Sequence, residues 1–253
     1  MIKEIEKNLV RGSNQLRRIL QEEELKKVKS IRGSLLNGNR LSEGYSLMEA
    51  GLEDPYLFKV SKNQPVVKAA FSFACDHSDS LNWSGTPISY WNQLVYLLGG
   101  LHKMAHRAGI EASSCLVRQR YDWKLDSAST SAVPTIHRVL NGGEPWKDRY
   151  YKTLLKYKPN GGTSTICYAE SALKLASELD SKIKVAFFLT DGDCYEKEYL
   201  ESLRQQAEAK GIHLVGIGLG VKSKGLPNGI SGRDAVEVSQ QVISTLVKVI
   251  KTR

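Results

Sequence analysis

Apolar residues in the first 29 positions recur at helical spacing, Leu16, Ile19 and Leu20 among them, within a segment rich in Glu, Lys and Arg. Residues 1–29 therefore read as a helix, and the acidic run Glu22-Glu23-Glu24 before Lys26-Lys27 allows some i,i+4 pairing. Turns follow at Arg32-Gly33-Ser34 and Asn37-Gly38-Asn39, then a short helix and a turn over 41–56 lead into Leu57-Phe58-Lys59-Val60. At Pro65 the pattern changes. Residues 66–75 (VVKAAFSFAC) are an apolar, β-branched and aromatic run that predicts a buried central strand, with Asp76 directly at its carboxyl end. Thr86-Pro87 opens a helix over about 88–108, which Gly109 closes. A strand is predicted at 113–121, a helix at 165–179, a buried strand at 184–190 (KVAFFLT), a helix at 196–210 ended by Gly211, and a strand at 212–219. Residues 235–238 read as a last short strand, and Ser239 as the cap of a closing helix over 240–251. Between these, residues 122–159 contain Pro134, Asn141-Gly142-Gly143 and Pro145 and read as loops around one or two short helices.

Strands separated by helices of this length predict an α/β fold: a doubly wound, mainly parallel open sheet with helices on both faces. The expected organisation is a helical N-terminal extension over 1–62 and an α/β domain over 63–253 with an irregular insertion at about 122–159. A length of 253 residues suits this arrangement.

Composition narrows the function classes. With 41% hydrophobic and 25% charged residues the chain is that of an ordinary globular protein. No apolar run reaches the roughly 20 residues a membrane helix needs, and the charged start is unlike a secretory signal, so the expectation is a cytoplasmic protein with no membrane partner. Cys75, Cys115, Cys167 and Cys194 form no C-x-x-C pair and read as reduced thiols. His102 and His106 are four apart on a predicted helix, a spacing able to chelate a metal, but Lys103 stands where the zinc-protease pattern needs glutamate. The net charge of +9 and pI near 9.3 raise the question of nucleic acid. That excess is spread thinly, 3 over the first 62 residues and 6 over the remainder, which favours solvated faces over a phosphate-tracking stripe.

Candidate chemistry sits at strand ends, where open α/β sheets bind ligands. Asp76-His77-Ser78-Asp79-Ser80 closes the first predicted strand, Leu189-Thr190-Asp191-Gly192-Asp193 a later one, and Gly161-Gly162-Thr163 enters a helix between them. In a turn leaving a strand, alternate side chains face one side, so Asp76, Ser78 and Ser80 converge while His77 and Asp79 point elsewhere. Asp76, Ser78, Ser80, Thr163 and Asp191 offer oxygen only. That donor set suits a hard divalent cation such as Mg²⁺, Mn²⁺ or Ca²⁺, not zinc. No nucleophile and base stand beside it, so no catalytic residue is assigned. Gly216-Ile217-Gly218-Leu219-Gly220 lacks the spacing of a nucleotide fingerprint and reads as a strand end.

These five positions resemble the metal-ion-dependent adhesion site (MIDAS) of the von Willebrand factor A (vWA) family, with Asp79 where glycine is common. The resemblance implies that Ser78, Ser80 and Thr163 coordinate the ion, that Asp76 and Asp191 act directly or through water, and that a partner carboxylate completes the shell. A further resemblance, carried by Gly38-Asn39-Arg40-Leu41, Leu57-Phe58-Lys59-Val60 and residues 214–220, is to the C-terminal part of cobaltochelatase subunit CobT. It implies a non-catalytic adaptor working with an AAA+ ATPase of the MoxR/CobS type, and with a large chelatase subunit, in ATP-dependent cobalt insertion. The chain has no phosphate-binding loop of its own, and it lacks the long acidic region of CobT. The alternatives are an RNA-binding vWA protein of the Ro type, suggested by the basic pI, and a stand-alone vWA scaffold unrelated to cobalamin.

Overall fold

The computed structural model describes residues 1–28, 68–83, 87–119, 134–162, 164–191, 196–220 and 225–251. The turns at 32–34 and 37–39, the elements expected over 41–60, Thr86, Thr163 and Cys194 lie outside the described residues. Met1–Arg17 and Lys68–Arg253 form one compact unit, and Arg18–Val67 another. No helix among the described residues is long and apolar enough to cross a membrane.

Helix α1 (Ile2–Val28) carries a buried apolar stripe that includes Ile5, Leu9 and Leu16. The chain continues through strand β1 (Ala69–Asp76), a 3-10 turn at Asp79–Asn82, helix α2 (Tyr90–Ala108) and strand β2 (Glu111–Gln119). Then come strand β3 (Pro134–Leu140), helix α3 (Asp148–Leu154), helix α4 (Thr165–Ser177), strand β4 (Ile183–Thr190) and helix α5 (Lys197–Ala209). Strands β5 (Ile212–Leu219) and β6 (Ile230–Gly232) and helix α6 (Ala235–Lys251) complete the unit.

The described strands form one six-stranded sheet in the order β3-β2-β1-β4-β5-β6, parallel throughout except that β3 runs antiparallel to β2. Helices α2 and α6 pack on one face and α4 and α5 on the other, so the fold is the doubly wound, vWA/Rossmann-like α/β architecture. The central strands need no alternation of apolar and polar residues because both faces are covered; β1 is buried at all eight positions.

Three local departures from the sequence reading have physical causes. Residues 134–140, read as irregular, form the antiparallel edge strand β3, whose single buried position and leading Pro134 conceal it. The strand expected over 235–238 is instead the first turn of α6: Asp234 Oδ1 accepts from the backbone N–H groups of Val236 and Glu237 at 2.9 Å each, which starts the helix earlier. Ser239 is therefore no cap. Its hydroxyl donates to Val236 O at 2.6 Å and accepts from Asn8 of α1 at 3.0 Å. At the other end of the chain's helices, Gly109 closes α2 with φ 74°, as its position suggested.

Candidate metal site

Strand β1 has β2 on one side and β4 on the other, so strand order reverses between β1 and β4, and the crevice beyond their carboxyl ends is the natural ligand position. Asp76 is the last residue of β1, and Asp191 follows the last residue of β4. Pleating sends successive β1 side chains to opposite faces. Ser72 donates to Ala172 O of α4 at 2.7 Å, and Asp76, on the same face, meets Tyr168 of α4. His77 goes the other way, edge-on to Trp91 of α2 with ring centroids 5.1 Å apart.

Asp76 is fully buried and held from three directions. Its Oδ1 accepts from the Ser78 backbone N–H at 2.7 Å and the Tyr168 hydroxyl at 2.8 Å, and its Oδ2 accepts from the Thr190 hydroxyl at 2.9 Å. A carboxylate has about four acceptor positions, and the described residues fill three of them. Ser78 Oγ and Ser80 Oγ lie 2.9 Å apart, and Ser80 Oγ donates to Asp191 Oδ1 at 2.9 Å. Four of the five predicted ligands thus form one hydrogen-bonded chain from Asp76 through Ser78 and Ser80 to Asp191. Asp79 turns aside and accepts from Asn82 Nδ2 at 2.9 Å.

The fifth ligand, Thr163, lies outside the described residues, but its neighbours bear on the same cluster. Ser164 N donates to the Tyr168 hydroxyl at 3.3 Å, and Ser164 Oγ caps α4 through Cys167 N at 3.4 Å. Asp79 N donates to Gly161 O at 3.1 Å, and Asn160 N to His77 O at 3.1 Å. The two loops are therefore stitched together on the segment that leads into Thr163.

The electrostatics are unbalanced. Burial pushes the Asp76 carboxyl up despite the hydrogen bonds from Ser78, Tyr168 and Thr190. Burial, followed by the charge of Asp76, pushes Asp191 up to about 6. Two carboxylates thus share a low-dielectric crevice, and among the described residues no Lys or Arg forms an ion pair with either. Oxygen donors with excess negative charge are what a hard cation requires. The residues present fit that group. Beside them Trp83, which ends the Ser78–Ser80 loop, is 75% exposed.

The other sequence candidates fall elsewhere. His102 is buried between Phe73 and Trp146, with ring centroids 5.1 and 5.3 Å away, and bonds Ser114 Oγ at 2.9 Å. His106 is exposed, so the two do not share a site. Cys75 and Cys115 are buried free thiols and Cys167 a half-buried one. Sequence reasoning missed Tyr168 and Thr190, which orient Asp76. Thr190 was signalled by being the one hydroxyl residue at the end of the apolar run 185–189, and Tyr168 by lying one helical turn beyond Ser164.

No family model and no curated protein matches the chain. Solved structures do. The pilus adhesin SpaC from Lactobacillus rhamnosus GG aligns with 77% of this chain at 12% identity and TM-score 0.54, and the chain spans about a third of that protein's length (32%). The PilB minor pilin from Streptococcus sanguinis aligns with 76% of this chain and 63% of its own at 13% identity and TM-score 0.53. Proximal thread matrix protein 1 from the mussel byssus, solved with a zinc-occupied MIDAS motif, aligns with 71% of this chain and 46% of its own at 17% identity and TM-score 0.48. At these identities the likeness is one of fold.

Proposed function

We propose that this chain is a metal-dependent protein-interaction module, in which Asp76, Ser78, Ser80, Thr163 and Asp191 hold one hard divalent cation, Mg²⁺ foremost, and an acidic side chain of a partner completes its coordination. The observation that carries this reading is the linked cluster of Asp76, Ser78, Ser80 and Asp191 at the reversal of strand order. When bound, the cation supplies a fixed positive charge with an exchangeable position, which selects a partner oxyanion. The chain's residues do the rest. Tyr168 and Thr190 fix both oxygens of Asp76, Asp76 fixes the Ser78 backbone, and Ser80 ties that loop to Asp191. Exposed Trp83 offers apolar surface beside the site, in keeping with the aromatic enrichment of protein interfaces.

The same reading extends to a CobT-like adaptor for an AAA+ ATPase of the MoxR/CobS type in the cytoplasm, in which residues 1–62 are an extension beside a vWA domain over 63–253. Its support is the sequence resemblance and the lack of a phosphate-binding loop of its own, which leaves ATP hydrolysis to the partner. The test is association with a MoxR/CobS-type ATPase from the same genome, by sedimentation in Mg²⁺ and in EDTA. Association that EDTA and Asp191→Asn both abolish is expected. Equal, EDTA-insensitive association contradicts the metal-dependent reading, and its absence in Mg²⁺ removes the ATPase as partner.

A further inference from the structure

A cavity lies on the opposite face of the sheet from Tyr168. A pocket of about 770 Å³ opens among β2, β3 and α3, within the size range of small-ligand sites. Arg118, Arg138, Arg149 and Lys158 line it together with His77 and His137, and no carboxylate does among the described residues. Asp76 pairs with Val117 across the sheet, so the next residues in each strand, His77 and Arg118, come side by side on this face.

The polar groups here differ in how far they are already engaged. Arg138 pairs with Glu178 at 2.5 Å, and Arg149 lies over the Tyr150 ring, 5.2 Å from its centroid. Arg118 gives Nη1 to Asn160 Oδ1 at 2.6 Å, but its buried Nε has no hydrogen-bond partner among the described residues. His77 is only 5% exposed, and neither ring nitrogen has a hydrogen-bond partner among the described residues. Leaving a buried polar group unmatched is unfavourable, because it has given up its hydrogen bonds to water. A neutral imidazole donates from one ring nitrogen only, so two donors without a partner among the described residues, one N–H on His77 and the Nε–H of Arg118, stand at the wall of one cationic pocket and point to an acceptor that belongs between them.

We propose that this pocket binds a small oxyanion-bearing ligand, a phosphate or carboxylate on an apolar or aromatic body, with Arg118 and His77 holding the oxyanion. The guanidinium presents a planar fork that matches oxyanion geometry, and His77 adds a ring N–H. Arg149 and Lys158 contribute positive potential that draws an anion into the pocket. Leu116 and Leu154 form an apolar wall for the ligand body, and the half-exposed Tyr157 an aromatic rim. Neither Arg118 nor His77 belongs to the cation's donor set, so this inference does not depend on the metal reading.

The probes are inorganic phosphate, phenyl phosphate and benzoate, titrated separately into the full chain in EDTA and again in Mg²⁺. Trp91, packed on His77, provides a fluorescence signal, and calorimetry gives the stoichiometry. Saturable one-to-one binding with a dissociation constant on the order of 0.1 mM is expected for phenyl phosphate or benzoate, weakened by salt and unaffected by EDTA. Whichever of the two binds more tightly identifies the oxyanion. Arg118→Gln weakens it at least about tenfold, equivalent to loss of one charge-assisted contact, whereas Arg204→Gln on α5 leaves it unchanged. Tyr157→Ala, at the exposed rim, serves as a second variant should Arg118→Gln not fold, and weakens the aromatic probes more than inorganic phosphate. Lack of saturable binding by every probe up to about 10 mM, a range that covers very weak complexes, overturns the proposal. So does binding that both pocket variants leave unchanged, or binding of RNA by a protein that ignores all three probes.

Discussion

Replacing Asp191 by asparagine should reverse the order of stability of two proteins according to whether Mg²⁺ is present. Burial and the neighbouring charge of Asp76 raise the Asp191 carboxyl from its ordinary 3.8 to about 6. The unfolded chain ionises this group freely, so above about pH 6 the folded, metal-free protein bears the full cost of the shift, and that cost disappears as the pH falls through 6 toward 3.8. Two pKa units correspond to about 3 kcal/mol. Because Asp191 is only half-buried, solvent screening reduces this to about 1–2 kcal/mol. Asparagine removes the charge and keeps an oxygen for the Ser80 hydroxyl. In EDTA at neutral pH, Asp191→Asn is therefore expected to be more stable than the parent by about 1–2 kcal/mol. A cation at about a hundred times its dissociation constant stabilises the parent by about 2.7 kcal/mol, and the variant gains little. Urea denaturation of both proteins, with EDTA and with MgCl₂ at matched ionic strength, measures all four values. A variant that is less stable in EDTA, or that retains the full response to Mg²⁺, refutes the reasoning.

Other outcomes follow from named contacts. Tyr168→Phe removes a hydroxyl donated to a buried carboxylate at 2.8 Å; hydrogen bonds to charged groups contribute about 1.5–3 kcal/mol, so a loss of that size is expected in urea denaturation, together with weaker metal binding. Acid should destabilise the protein through His102, whose burial lowers its pKa from 6.5 to about 3. The unfolded chain takes up this proton below about pH 6.5 and the folded chain does not until about pH 3, so stability falls through that window, by about 2 kcal/mol between pH 7.5 and 5. Asp191 titrates with the opposite sign, so the quantity to measure is the difference in slope between the parent and His102→Gln; equal slopes would exclude His102 as the cause.

The long central elements were legible because burial on both faces writes a continuous apolar run, as in β1, β4 and β5, and because Gly109 stops a helix by backbone geometry. Strand β3 was not: an edge strand with one buried position (PTIHRVL) carries little hydrophobic signal, and its pairing with β2 is a tertiary fact. The start of α6 went unrecognised because Asp234 competes with Ser239 for the cap, and the geometry of one carboxylate against two backbone N–H groups decides it. At the site, the spacing of Asp76, Ser78 and Ser80 follows from strand pleating and was readable. Tyr168 and Thr190 were less so, because their roles depend on which side of β1 receives α4 and on which strand lies beside it. Arg118 had no local signature at all, since it acquires its meaning only from the register that sets it next to His77.

A titration with Mn²⁺, followed by electron paramagnetic resonance and competed with Mg²⁺, tests the central claim most directly. The proposed site requires one Mn²⁺ per chain, displaced by Mg²⁺ and lost in both Asp191→Asn and Thr163→Val. Failure to find a saturable site, or an unchanged site in both variants, would contradict it.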